Sequence, residues 1–147
     1  MLFILFALLV FVDQAVKYYI SSTLLLGTSI PVFPGVFHIT YICNPGAAFG
    51  ILANQRMIFI VFSIILFFLI VFFYRRLRDG SCYLRYGTLL LAGGAFGNLI
   101  DRIRFGYVID FFDLRVWPIF NIADIAICIG VGLLMYFVIF EMEETDD

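Results

Sequence analysis

The run Met57–Tyr74, MIFIVFSIILFFLIVFFY, holds 18 residues without a single charge. As a helix it covers roughly 27 Å, close to the hydrocarbon thickness of a bilayer. A chain with such a segment must bury it on all sides or give it to lipid. Burial is out of reach: 64% of the 147 residues are hydrophobic and 14% are charged, against about 45–50% apolar in soluble domains. Too little polar surface exists to clothe a water-soluble fold of this size. Mean hydropathy is +1.09. The natural solvent is a bilayer, and the length suits one domain, residues 1–147.

Three more stretches extend the pattern: Leu2 to about Ile20, carrying Asp13 and Lys17; Leu84 to Ile100; and Phe120 to Phe140, with Asp124 near its start. Helices satisfy their own backbone polar groups in lipid. The expected fold is therefore all-α, a bundle of four transmembrane helices over about 2–20, 57–74, 84–100 and 120–140. The N-terminus, MLFILFALLVFVD, lacks a basic leader and a small-residue cleavage site, so it reads as a retained first span. Lys and Arg in short loops set orientation. The connector RRLRDGSCYLR carries Arg75, Arg76, Arg78 and Arg85, which places it and both termini in the cytoplasm. Two segments then lie outside, about 21–56 and 101–119, both apolar enough to lie along the outer membrane surface. Within the first, VFHITYIC is β-branched and aromatic, the composition of a short strand or hairpin.

This layout explains why the oily run LLLAGGAFGNLIDRIR finishes on a carboxylate. The third span travels outward and ends at Asp101. The fourth starts outside and meets Asp124 about one turn in. Asp110 lies in the loop between them. Three carboxylates thus gather at the outer membrane boundary. Asp13 and Lys17, spaced i, i+4, share a helix face and read as a structural pair. Asp101 sits at a helix C-terminus, where the dipole disfavours an anion, and Arg102 and Arg104 follow at once, so it reads as an organiser of the turn. Asp110 and Asp124 have no cation within four residues. Partial desolvation raises a carboxyl pKa. If the two approach, repulsion leaves one protonated and one ionised, the arrangement of an aspartic protease. Two unrelated polar anchors are the bland alternative.

Other residues add less. Gly93, Gly94 and Gly97 include a GxxxG spacing that favours close helix packing; with no strand before them and no lysine after, they do not form a phosphate loop. Asn98 and Asn121 lie near the same boundary, placed to hold substrate backbone or to orient the aspartates. Cys43, Cys82 and Cys128 are far apart, and His38 is the only histidine, so neither a zinc site nor a disulfide framework is expected, and no cofactor. The charge of −2 and the lack of a basic stripe speak against nucleic acid. Two further readings stay open. A proton or ion carrier calls for polar groups staggered across the bilayer, and the second and fourth spans show none on their cytoplasmic halves. A non-catalytic scaffold would have glycine packing as its purpose.

Five blocks in order resemble the lipoprotein signal peptidase (signal peptidase II) family: DQAVK at Asp13–Lys17, NPGAAFG at Asn44–Gly50, GGAFGNLIDR at Gly93–Arg102, GYVIDFF at Gly106–Phe112 and FNIAD at Phe120–Asp124. The resemblance runs essentially end to end. It implies an intramembrane aspartic endopeptidase of the bacterial cytoplasmic membrane. Its substrates are prolipoproteins whose lipobox cysteine already carries a diacylglyceryl group, cut just before that cysteine on the outer face. The resemblance makes Asp110 and Asp124 catalytic. It gives Asp13, Lys17, Asn44, Gly46, Asn98, Asp101, Arg102 and Asn121 substrate-binding or supporting roles. It implies a small extracytoplasmic β-cradle followed by a short surface helix over the site, contact with membrane lipid, inhibition by the family's peptide-like inhibitors, and action as a monomer. One departure shows: Val16 stands where the family often has serine or threonine.

Overall fold

The structure, a computed structural model, describes residues 2–46, 55–73 and 80–141. Helix α1 spans Leu2–Thr23; strands β1 (Ser29–Phe33) and β2 (Phe37–Asn44) follow; then α2 (Arg56–Phe72), α3 (Cys82–Phe105), β3 (Val108–Asp113) and α4 (Ile122–Tyr136), which runs into a π-helical turn at Phe137–Glu141. Four helices and a small antiparallel sheet are thus seen among the described residues. Two of the helical stretches, Leu2–Thr23 and Ile122–Glu141, are long and apolar enough to cross a membrane; α2 is apolar but shorter. The expected surface helix after Gly46 and the loop arginines Arg75, Arg76 and Arg78 lie outside the described residues.

Helix α3 is the post on which α1, α2 and α4 all pack. Its glycines let them come close. A Cβ at Gly130 of α4 would lie 2.6 Å from the Leu91 backbone nitrogen and 2.7 Å from the Gly87 carbonyl oxygen, and one at Gly97 would lie 2.6 Å from Asp13 Oδ2. The small-residue spacing is therefore a packing device. The outer faces stay apolar and open: Phe3 of α1 is 81% exposed, Phe72 of α2 is 80% exposed, and no residue of α2 is fully buried.

The strand order is β1-β2-β3. The β1–β2 hairpin turns at Phe33–Val36, where Val36 N–H donates to the Phe33 carbonyl and Gly35 takes φ +77°, a conformation glycine adopts without a Cβ penalty. Asp110 lies in β3, not in a loop as the span pattern suggested. YVIDFF is rich in β-branched and aromatic residues, and the free edge of β2 takes it up. Between Ile39 and Ile42 the register slips by one residue against β3, a bulge that re-aims the side chains beyond it. It sets Ile42 opposite Asp110 and Asn44 opposite Val108, so Asn44 and Asp110 share a face. The other face packs Tyr41, Ile109 and Phe111 on Ile20 of α1. Val16 packs there too, as an aliphatic contact.

Helix α3 also outlasts its expected end at Ile100. It continues to Phe105 and stops at Gly106, whose φ of +87° caps it and whose N–H donates to the Arg102 carbonyl. Arg102 and Arg104 in the last turn suit the negative end of the helix dipole.

Candidate active site

Asp110 projects from β3 and is 1% exposed. Its Oδ2 accepts from Asn44 Nδ2 at 2.8 Å and its Oδ1 from Asn121 Nδ2 at 2.7 Å. Burial, then the charge of Asp124, push its carboxyl up to about 7; the two amide hydrogen bonds and Lys17 pull the other way. A carboxyl with that pKa holds or yields a proton near neutrality, which general acid–base chemistry requires.

Asp124 is set by a helix start. Asn121 is the N-cap of α4: its Oδ1 accepts from Asp124 N–H at 2.9 Å, while Asp124 Oδ2 accepts from Asn121 N–H at 3.2 Å. This reciprocal box satisfies two orphan donors of the first turn and pins the Asp124 side chain. Asn98 of α3 donates Nδ2 to Asp124 Oδ1 at 2.8 Å. Asn121 therefore touches both carboxylates, its amide on Asp110 and its backbone on Asp124. The two aspartates come together through one residue, from a strand and a helix.

Behind them lies a buried ionic cluster. Lys17 Nζ sits 2.9 Å from Asp13 Oδ2 and 3.0 Å from Asp101 Oδ2, and it donates to Asn98 Oδ1 at 2.9 Å. Asp13 also accepts from Ala123 N–H and Asp101 from Ile109 N–H. The i, i+4 pair of α1 is present as expected. The expectation for Asp101 needs correction: it lies one turn inside α3 and pairs with Lys17. The chain direction sends Arg102 to another face of the helix, where it donates to the Gly46 carbonyl at 3.1 Å and lies 4.4 Å from the Phe59 ring. Asp101 still organises the turn, because its contact with Ile109 N–H ties the end of α3 to β3.

Asn44, Gly46, Asn98, Arg102, Asp110 and Asp124 all line one cavity of about 710 Å³. The rest of its wall is mainly apolar and comes from α2, α3, α4 and the segment before α4, where Trp117 contributes. Polar groups converge at one part of a greasy cleft, the usual form of a site that binds an apolar ligand and fixes one bond of it. All ten residues singled out from the sequence thus fall in the cluster, the cavity wall or the hydrogen bonds that join them. Sequence reasoning missed Gln14, whose Nε2 reaches Asp101 Oδ1 at 2.9 Å and the Gly97 carbonyl at 3.1 Å; an amide in an apolar span next to Asp13 was the available signal. It also missed Asp113, which holds Thr40 Oγ1 at 2.8 Å and both the backbone and the guanidinium of Arg115. Burial alone would raise the Asp113 carboxyl, but those donors hold it below the usual carboxylate range.

The family described as Signal peptidase (SPase) II matches residues 5–140. The chain is 49% identical over 135 residues to the lipoprotein signal peptidase of Moorella thermoacetica, covering 91% of this chain and 90% of that protein. It is 43% identical over 148 residues to that of Halothermothrix orenii, covering the whole of both. Among solved structures, a bacterial membrane enzyme determined by the in meso method at 2.3 Å superposes with a TM-score of 0.89 at 34% identity, over 97% of this chain and 90% of the other. A second, at 1.9 Å, gives 0.84 at 35% identity, over 95% and 93%.

Proposed function

Because this chain belongs to the signal peptidase II family, we propose that Asp110 and Asp124 are the two carboxylates with which it cuts its substrate. Membership makes the chain an aspartic endopeptidase that removes signal peptides from prolipoproteins. The observation that carries the assignment is the single Asn121 that binds both aspartates at the polar part of an otherwise apolar cavity.

The chemistry follows from the geometry. Asp110, with its elevated carboxyl, carries the proton the pair shares. A water between the carboxylates attacks the scissile carbonyl and gives its proton to Asp124, while Asp110 protonates the carbonyl oxygen. A C–O bond forms; the tetrahedral diol then collapses, the C–N bond breaks, the proton on Asp124 goes to the leaving amine, and one diol hydroxyl returns its proton to Asp110 as the acid product's carbonyl re-forms. No covalent enzyme intermediate is needed. The substrate is a prolipoprotein whose cysteine bears a diacylglyceryl group, and the cut falls on the N-terminal side of that cysteine. The apolar wall suits the signal segment, and the open flanks of α1, α2 and α4 suit acyl chains in lipid. A peptide-like inhibitor would occupy the same cavity.

The exposed apolar faces support a single copy embedded in the bacterial cytoplasmic membrane, with all four helices as spans, the termini and the α2–α3 connection inside, and the sheet and aspartates at the outer face. Incubation of the purified protein with a diacylglyceryl-modified prolipoprotein tests the function. The shortened product is expected from the lipidated precursor and not from the unlipidated one. Equal cleavage of both would remove the lipid from the substrate definition.

A further inference from the structure

Three asparagines feed hydrogen bonds to the aspartates, and each has its amide orientation fixed by a group that can only donate. Gly46 N–H at 3.0 Å fixes Asn44, and Asp124 N–H at 2.9 Å fixes Asn121. Both of those are backbone donors on the residue's own local turn. Asn98 differs, because the donor on its Oδ1 is the side chain of Lys17, 81 residues away on another helix. Asn121 Nδ2 adds a second donor to the same oxygen at 3.1 Å. With its oxygen so occupied, Asn98 must present Nδ2 to Asp124 Oδ1. The flipped amide would set NH₂ against an ammonium and oxygen against a carboxylate.

Resting on the reading of Asp110 and Asp124 as the reacting pair, we propose that Lys17 is a positioning residue that acts through Asn98, locking its amide so that Asp124 receives an N–H. Lys17 is built for this. It is 1% exposed, and its three protons meet Asp13, Asp101 and Asn98 with none left over. Gln14 and two backbone N–H groups hold the carboxylates that grip it. A neutral side chain at position 17 would take the charged donor from Asn98 Oδ1 and leave the longer contact from Asn121 Nδ2 at 3.1 Å to hold the amide, so the N–H offered to Asp124 would be held less firmly. The charged groups acting on the pair from the packed elements are Lys17 on α1 and Arg102 on α3, with the two aspartates acting on each other.

The test is a double-mutant cycle on cleavage of a lipidated prolipoprotein by the full-length protein. Lys17→Met and Asn98→Ala should each lower kcat about a hundredfold, the usual loss for one preorganised donor, with KM changed less than about threefold. Together they should be no worse than about twofold below the slower single variant. The alkaline limb of the pH–kcat profile should move up in Lys17→Met, because Asp110 then loses the Lys17 charge that pulls its carboxyl down; a merely structural residue would leave that limb in place. If Lys17→Met does not accumulate, Lys17→Met/Asp101→Asn, which leaves the cluster's net charge unchanged, takes its place and is measured against Asp101→Asn alone. Losses that multiply, or an unmoved alkaline limb, overturn the proposal. Asp110→Asn is run beside them. Wild-type cleavage by that variant would sink the reading of the pair itself, whereas an inactive Asp110→Asn with multiplying losses would sink the Lys17 lock alone.

Discussion

Asp110 is a carboxyl whose environment sets both its chemistry and its effect on stability. Its pKa is raised to about 7 from 3.8, so the folded protein binds this proton more tightly than the unfolded chain does. The stability it contributes is complete below about pH 4 and is lost as pH rises toward 7. Asp110→Asn cannot ionise, though its NH₂ must face one of the two amide donors that Asp110 accepts. In detergent the variant should lose stability relative to wild type as the solution is acidified from about pH 7 to about pH 4, by roughly 1.4 kcal/mol per pH unit. A pH-independent difference in melting would contradict the burial argument. The acidic residues of this site were legible in the sequence because carboxylates in an apolar chain stand out. Their partners were less so: nothing in the spacing says that Asp101 turns to Lys17 rather than to adjacent Arg102, since that depends on which face of α3 meets α1.

At the scale of elements, the helix crossings and one sheet irregularity carry the site. Gly130→Ala would press a methyl into the Leu91 and Gly87 backbone. Overpacking of that kind costs about 1–3 kcal/mol and should lower the melting temperature of the purified protein. Gly132→Ala, two residues on, meets nothing within 4 Å and should be neutral or stabilising by up to about 1 kcal/mol. Equal effects would mean that α3 and α4 do not cross here. The loop before α4 is held at Arg115, whose φ of +65° is unusual for a side-chain residue and which Asp113 grips twice, through backbone and guanidinium. Asp113→Ala should therefore loosen that cavity wall and raise KM more than it lowers kcat. Helix existence was readable from the apolar runs, and the β1–β2 hairpin from its β-branched stretch. The strand character of Asp110 was not, because a six-residue strand needs the edge of β2 to declare itself. The bulge that brings Asn44 beside Asp110 has no signature in sequence spacing at all.

Over the whole molecule, the proposed placement of the aspartates at the outer face requires a definite orientation in the membrane. Cys82 begins α3 at the end remote from the aspartates and is exposed. A membrane-impermeant maleimide should label it in inside-out vesicles and spare it in intact cells; the reverse would invert the topology. Apolar composition announced a bilayer protein, but only the packed fold shows the ionic cluster, the three amides and the cavity as one connected polar unit. The most direct measurement of the central claim is the cleavage rate of a diacylglyceryl-modified prolipoprotein by Asp110→Asn, Asp124→Asn and the double variant, each confirmed as folded in the membrane. If the two carboxylates share one proton and one water, each single change should cost at least about a thousandfold, and the double should be no slower than the worse single. Wild-type turnover in either single variant, or losses that multiply in the double, would contradict it.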